Sequence, residues 1–113
     1  MTSYTGVATT DPTVNSISFS NTPGDTITSI YHLAVTLSPV AVAANTTAEQ
    51  TFTVTGVAVG DVVYVSKPTA QAGLGIVNVR ASAANQIGIT FSNNTAGSIT
   101  PTASEVYQVG GIR

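Results

Sequence analysis

The sequence predicts one all-β domain, a single antiparallel β-sandwich or jelly-roll-like fold with an extended N-terminal arm. Short segments in which apolar and polar residues alternate recur along the chain, and turn residues separate them at near-regular intervals. Thr, Ser and Asn together make up about a third of the chain, and Thr prefers the half-buried surface of a strand. A length of 113 residues suits one domain. We place the arm at residues 1–13 and the sandwich at residues 14–113.

The N-terminal part begins with small, polar residues that have no periodicity, and this composition predicts an arm. From Val14 a weak alternation places Ile17 and Phe19 on one face of a short strand. A strong turn signal follows at residues 21–25, where Pro and Gly occupy the positions that a type II turn requires.

The apolar run from Ile27 to Val42 begins with near-helical spacing, so a helix is the alternative there. Leu33, Val35 and Leu37 alternate cleanly, however, and a Thr and a Pro in the run disfavour a helix. We therefore expect a strand, with Pro39 at an edge or a bulge.

The second half of the chain predicts five further strands, separated by turn residues. The run from Val62 to Val65 is apolar without interruption, which predicts burial on both faces, against the core and against a neighbouring subunit. The five segments are residues 51–55, 61–66, 76–80, 87–92 and 106–109.

The low charge of the chain excludes several functions. Charged residues make up 7% of the chain, against about 25% in an ordinary soluble domain. Three scattered cations cannot neutralise a run of phosphates, so we expect no nucleic-acid partner. No apolar stretch approaches the roughly 20 residues of a membrane span, and no signal peptide is expected. The absence of cysteine excludes disulfides and thiolate chemistry.

Residues suited to catalysis are scarce, and the sequence predicts no enzyme, no cofactor and no metal. His32 is the one histidine, and a catalytic or metal role would need partners that the sequence does not place near it. The five acidic residues are dispersed, and Asp61 follows Gly60 where an Asp usually caps a turn. No glycine pair matches a phosphate-binding loop.

Aromatic and charged residues within strands are the best candidates for contacts with other subunits or with a shell. Arg80 is the most unusual, because it interrupts an apolar strand; Glu49, Asp61 and Glu105 are its possible partners, and we favour a pair across a subunit interface. Tyrosines could alternatively form a platform on which sugar rings stack. The candidate inter-subunit or capsid contacts are Tyr4, Tyr31, His32, Tyr64, Arg80 and Tyr107.

Five segments in the last two thirds of the chain share a characteristic pattern of strand and turn residues. They are VAANTTAEQTFTV at 42–54, GDVV at 60–63, GLGIV at 73–77, RASAANQI at 80–87 and FSNNTAG at 91–97. With this pattern the chain resembles the small β-sandwich structural proteins of tailed bacteriophages, of the capsid decoration (cement) type. The pattern carries no catalytic signature.

This resemblance implies a non-catalytic virion structural protein that binds and stabilises the shell of the major capsid protein. It further implies a homotrimer on the outer capsid surface, made in the host cytoplasm. The arm then lies on the shell or on a neighbouring subunit, because extended arms bind by adding strands to sheet edges. The alternative is a tail-fibre or receptor-binding module that recognises glycans. A small virion hydrolase is a third possibility, and the scarcity of catalytic residues gives it the least support.

Overall fold

A computed structural model describes residues 26–113, which fold into six strands. The predicted arm and the predicted strand and turn within residues 14–25 lie outside the described residues. The strands are β1 (Ile30–Leu37), β2 (Thr46–Thr53), β3 (Val62–Ser66), β4 (Leu74–Ala83), β5 (Gln86–Asn93) and β6 (Glu105–Ile112).

The strands form two antiparallel sheets that pack face to face, so the predicted β-sandwich is confirmed. One sheet has the order β1-β6-β3 and the other β2-β5-β4. The strand interpretation of the apolar run after Ile27 is also confirmed, because β1 occupies its centre and ends two residues before Pro39. β1 is an edge strand, as the position of that proline suggested.

The core lies between the two central strands. In β5, Ile87, Ile89 and Phe91 are fully buried and alternate with Gly, Thr and Ser that face outward. In β6, Tyr107 and Val109 are fully buried in the same way. This period of two is what places one side of each strand in the core. The buried apolar residues are Leu37, Val42, Val54, Val57, Val63, Ile87, Ile89, Phe91, Tyr107 and Val109.

One asparagine holds the connection between β2 and β3 against the turn between β4 and β5. Asn85 has a positive φ of 57°, which Asn tolerates better than most residues. Its side-chain oxygen accepts from the Gly56 N–H at 2.9 Å, its carbonyl accepts from the Val54 N–H at 2.9 Å, and its own N–H donates to the Val57 carbonyl at 2.7 Å. These bonds align the ends of the two sheets.

The burial predicted for β3 is found on one face only. Val63 is buried and Val65 half-buried against the core, whereas Val62 and Tyr64 are 55% and 56% exposed. A strand in a two-layer sandwich has one core-facing side, so the second apolar side faces outward from this chain. Its burial against a neighbouring subunit stays a prediction.

Candidate interaction surface

The outward side of the β1-β6-β3 sheet is mainly apolar and carries no Asp, Glu, Lys or Arg. The strand register arranges it in cross-strand rows, of which one is Ile30–Ile112–Val62 and the next is His32–Gly110–Tyr64. We call this side the outer face. Its members are Ile30, His32, Ala34, Thr36, Val62, Tyr64, Ser66, Val106, Gln108, Gly110 and Ile112.

Most of the large apolar side chains of the outer face are exposed to solvent, whereas Ile112 in its centre is half-buried. Ile30 is 65% exposed, and Val106 is 46% exposed. Three strands about 4.8 Å apart, each rising about 3.3 Å per residue, give this face an area of roughly 400 Å². The largest apolar patch on a typical soluble monomer covers about 300–600 Å² and is often functional, so a mainly apolar face of this area is a candidate interaction site.

The charged side chains lie away from the outer face and neutralise one another. Within residues 26–113, each Asp, Glu, Lys and Arg takes part in an ion pair. The pairs are Lys67–Glu105 at 3.0 Å, Arg80–Glu49 at 2.7 Å and Arg113–Asp61 at 2.8 Å. The described part of the molecule therefore offers a partner little charge to recognise.

The most buried charged side chain of the ion pairs is that of Asp61, which is 1% exposed. Arg113 donates from Nε to Oδ1 at 2.8 Å and from Nη2 to Oδ2 at 2.9 Å, and the Tyr31 hydroxyl donates to Oδ2 at 2.6 Å. The Ala58 N–H also donates to Oδ2, at 3.0 Å, which is the turn cap predicted for Asp61. The Arg113 guanidinium above all holds the pKa of Asp61 far below its usual range. Burial and the bond to Asp61 raise the pKa of Tyr31 to about 12.

A second cluster lies at the opposite end of the β1-β6-β3 sheet. The Thr69 hydroxyl donates to Glu105 Oε2 at 2.6 Å, and the Lys67 ammonium donates to the Thr69 carbonyl at 2.8 Å. The hydrogen bond from Thr69, followed by the neighbouring Lys67, lowers the pKa of Glu105. These groups hold one another in place around the strand ends.

Neither cluster has the arrangement of a catalytic centre. Asp61 is ionised and fully occupied by four donors, so it is not poised to exchange a proton near neutral pH. His32 lies on the outer face, opposite Gly110. Within residues 26–113, no group of three or more His, Cys, Asp or Glu could hold a metal ion. That same part of the chain has no helix with the length and apolarity of a membrane span.

Two of the six predicted contact residues, His32 and Tyr64, lie together on the outer face, on either side of Gly110. Tyr31 points inward and is bonded to Asp61. Arg80 lies on the other sheet and pairs with Glu49 of the same chain, so the preference for a partner across an interface is not supported. Tyr4 lies outside the described residues.

The expectation for Tyr107 is corrected by its position in the core. The side chain is 0% exposed, because residue 107 of the central strand faces the opposite sheet. Its hydroxyl has no hydrogen-bond partner in the described part of the chain, and burial raises its pKa. Tyr107 is therefore a core residue and does not contact other molecules.

Apart from Val62, the aliphatic part of the outer face was not predicted from the sequence; it consists of Ile30, Val106 and Ile112. The available signal was the presence of apolar residues at consecutive strand positions, which gives a strand two apolar sides. Burial on both faces was predicted from this signal for β3 alone.

Comparison with known proteins gives no further assignment. No protein-family model matches the chain, and neither the curated proteins nor the solved structures contain a significant match.

Proposed function

We propose that this protein is a non-catalytic virion structural protein, a capsid decoration (cement) subunit that binds and stabilises the shell of the major capsid protein. The single observation that carries the proposal is the outer face, an exposed and mainly apolar sheet surface without Asp, Glu, Lys or Arg, on a chain whose described charges are paired internally. In a protein that functions as part of an assembly, such a surface is buried against a partner. The resemblance of the strand and turn residues to those of phage structural proteins implies the same role.

The size of the outer face favours a docking unit of several linked copies, and the resemblance to phage decoration proteins implies that this unit is a homotrimer. A standard protein interface buries about 800 Å² on each partner, which is about twice the area of this face. One copy would therefore bind a shell weakly. Three linked copies would bind far more tightly, because after the first contact the others form at a high effective concentration.

The glycan-binding alternative, in which tyrosine rings form a stacking platform, has less support than the decoration role. A stacking platform needs exposed aromatic rings, but Tyr107 is buried and Tyr31 is turned inward. Tyr64 is then the remaining described tyrosine with an exposed ring.

The test is co-sedimentation with preassembled shells of the cognate major capsid protein. We expect the wild-type protein to sediment with the shells and Tyr64→Lys to remain largely in the supernatant, because docking would bury the new charge. Thr47→Lys is the matched control, since Thr47 is exposed on the other sheet, and it should bind as the wild type does. A wild-type protein that does not bind shells would contradict the proposal.

A further inference from the structure

A shallow polar groove crosses one end of the β2-β5-β4 sheet, on the side opposite the outer face. Its centre is the cross-strand row Thr47–Ser92–Gly75. Gly75 contributes no side chain, and no atom lies within 4 Å of the position that a Cβ would occupy there, so the row is open on that side. Asn45, Asn94 and Val77 line the adjoining walls. We call this feature the polar groove.

The backbone around the polar groove is held in place by hydrogen bonds between three chain segments. The Asn45 N–H donates to the Thr95 carbonyl at 3.1 Å, and the Asn94 N–H donates to the Gly73 carbonyl at 3.0 Å. Gly73 has a φ of +80°, and an added Cβ there would collide with the Thr95 methyl group. The three segments therefore meet in one closely packed arrangement.

A buried asparagine beneath the groove fixes the loop after β5. Asn93 is 1% exposed. Its Nδ2 donates to the Val42 carbonyl at 3.0 Å and to the Gly97 carbonyl at 2.8 Å, while its Oδ1 accepts from the N–H and the hydroxyl of Thr95. With all its hydrogen-bonding groups used, Asn93 is structural. The backbone of a site built on such a support does not have to be ordered when a ligand binds, so the remaining entropy cost is that of the side chains.

Four polar side chains at the groove, in contrast, have hydrogen-bonding groups that are available to a ligand. Within residues 26–113, the side chains of Asn45, Thr47, Ser92 and Asn94 make no hydrogen bond with other protein groups. Two amides and two hydroxyls offer both donors and acceptors, and none carries a charge. No charged side chain lines the groove.

We propose that the polar groove binds a neutral saccharide through Asn45, Thr47, Ser92 and Asn94. Sugar hydroxyls both donate and accept hydrogen bonds, which matches these groups, while the exposed Val77 offers an apolar contact for a sugar face. Saccharide binding is an activity additional to shell binding. The two activities are related through the orientation of the docked subunit. A subunit docked through the outer face presents the opposite sheet, and the groove with it, to the surrounding medium.

The test begins with an array of glucose-, galactose- and mannose-terminated neutral oligosaccharides, followed by NMR titration with the strongest binder. We expect amide shifts confined to the groove. The double variant Asn45→Gly/Asn94→Ala should weaken binding about tenfold or more, the loss expected for two hydrogen bonds. Glycine at 45 preserves the positive φ of 53° found there. Asn78→Ala, an exposed amide of β4 outside the groove, is the control and should bind normally.

A second variant fills the groove without disturbing its support. Gly75→Val places a strand-favouring side chain in open space and should abolish saccharide binding while the protein remains folded. Absence of binding to any array member, or undiminished binding by both variants, would overturn the proposal. Displacement of the titrated sugar by a neutral Gly-Ser peptide would assign the groove to polypeptide backbone instead. Shell binding is read separately with Tyr64→Lys, which should retain the saccharide, so the two proposals can fail independently.

Discussion

At the scale of single residues, Asp61 connects three parts of the chain that are distant in sequence. It joins the start of β3 to Tyr31 of β1 and to Arg113, which follows β6. Arg113 also donates to the Gly56 carbonyl at 3.0 Å, and its own carbonyl accepts from the Thr28 N–H at 2.7 Å. One buried carboxylate thus stabilises the whole end of the β1-β6-β3 sheet.

Asp61→Asn should destabilise the protein at neutral pH by about 1–3 kcal/mol, because it replaces a charged acceptor of several bonds. The folded-state pKa of Asp61 lies below that of an unfolded aspartate, about 3.9. Its stabilisation is therefore complete above pH 3.9 and is lost as the pH falls through the folded-state pKa. The difference in unfolding free energy between wild type and variant should shrink in acid.

Urea denaturation at neutral pH and at acid pH measures this difference. Glu49→Gln serves as a comparison, since the Glu49 side chain is 30% exposed and should show a weaker pH dependence. A difference for Asp61→Asn that is the same at both pH values would show that its ionisation does not stabilise the fold.

Residue-scale expectations succeeded where local chemistry decides the outcome. The turn cap by Asp61 depends only on its position after Gly60. The partner of Arg80 and the burial of Tyr107 depend on which strands become neighbours, and a single strand's alternation does not contain that information. For this reason the sequence left three acidic residues, including Glu49, as possible partners of Arg80.

At the scale of elements, each sheet has a side chain from an edge strand that crosses the central strand over a glycine. Tyr31 of β1 crosses Gly111 of β6 to reach Asp61 beside β3. Glu49 of β2 crosses Gly88 of β5 to reach Arg80 of β4. In both cases the missing Cβ makes room for the crossing group.

The adjacent glycines of β6 provide a matched test of this arrangement. A Cβ on Gly111 would overlap the Tyr31 ring, whereas one on Gly110 would meet its nearest atom at 3.6 Å, an ordinary contact. We expect Gly111→Ala to destabilise by about 1–3 kcal/mol through overpacking and Gly110→Ala to leave stability nearly unchanged. Denaturant unfolding of both variants decides the matter, and equal stabilities would contradict the proposed role of Gly111.

The elements themselves were largely predictable, since alternation identified a part of every described strand. The first and last residues of the strands were less predictable than their centres. β2 begins at Thr46 in a stretch without large apolar residues, and β4 continues to Ala83 through two register irregularities that shift the alternation. For β3, apolar residues on both sides left open which side would face the core. That choice depends on β6, where Val63 pairs with Gly111.

At the scale of the whole molecule, the internal pairing of charge predicts how the protein associates. The outer face has no Asp, Glu, Lys or Arg, and within residues 26–113 the ion pairs leave little charge for steering. Binding to shells should therefore change little between low and high salt, unlike association between oppositely charged surfaces. Co-sedimentation across a salt series measures this, and a steep loss of binding at high salt would point to a different contact surface.

The strand order has a consequence for how the chain acquires its structure. β6 is the last of the six described strands to be synthesised, yet it is the centre of its sheet and the only described partner of both β1 and β3. During synthesis β1 therefore remains unpaired, with its apolar sides exposed, until more than 60 further residues have been added. Pairing over such distances is slow and leaves early strands open to association with other chains. Incomplete chains that lack β6 should accordingly be recovered as aggregates.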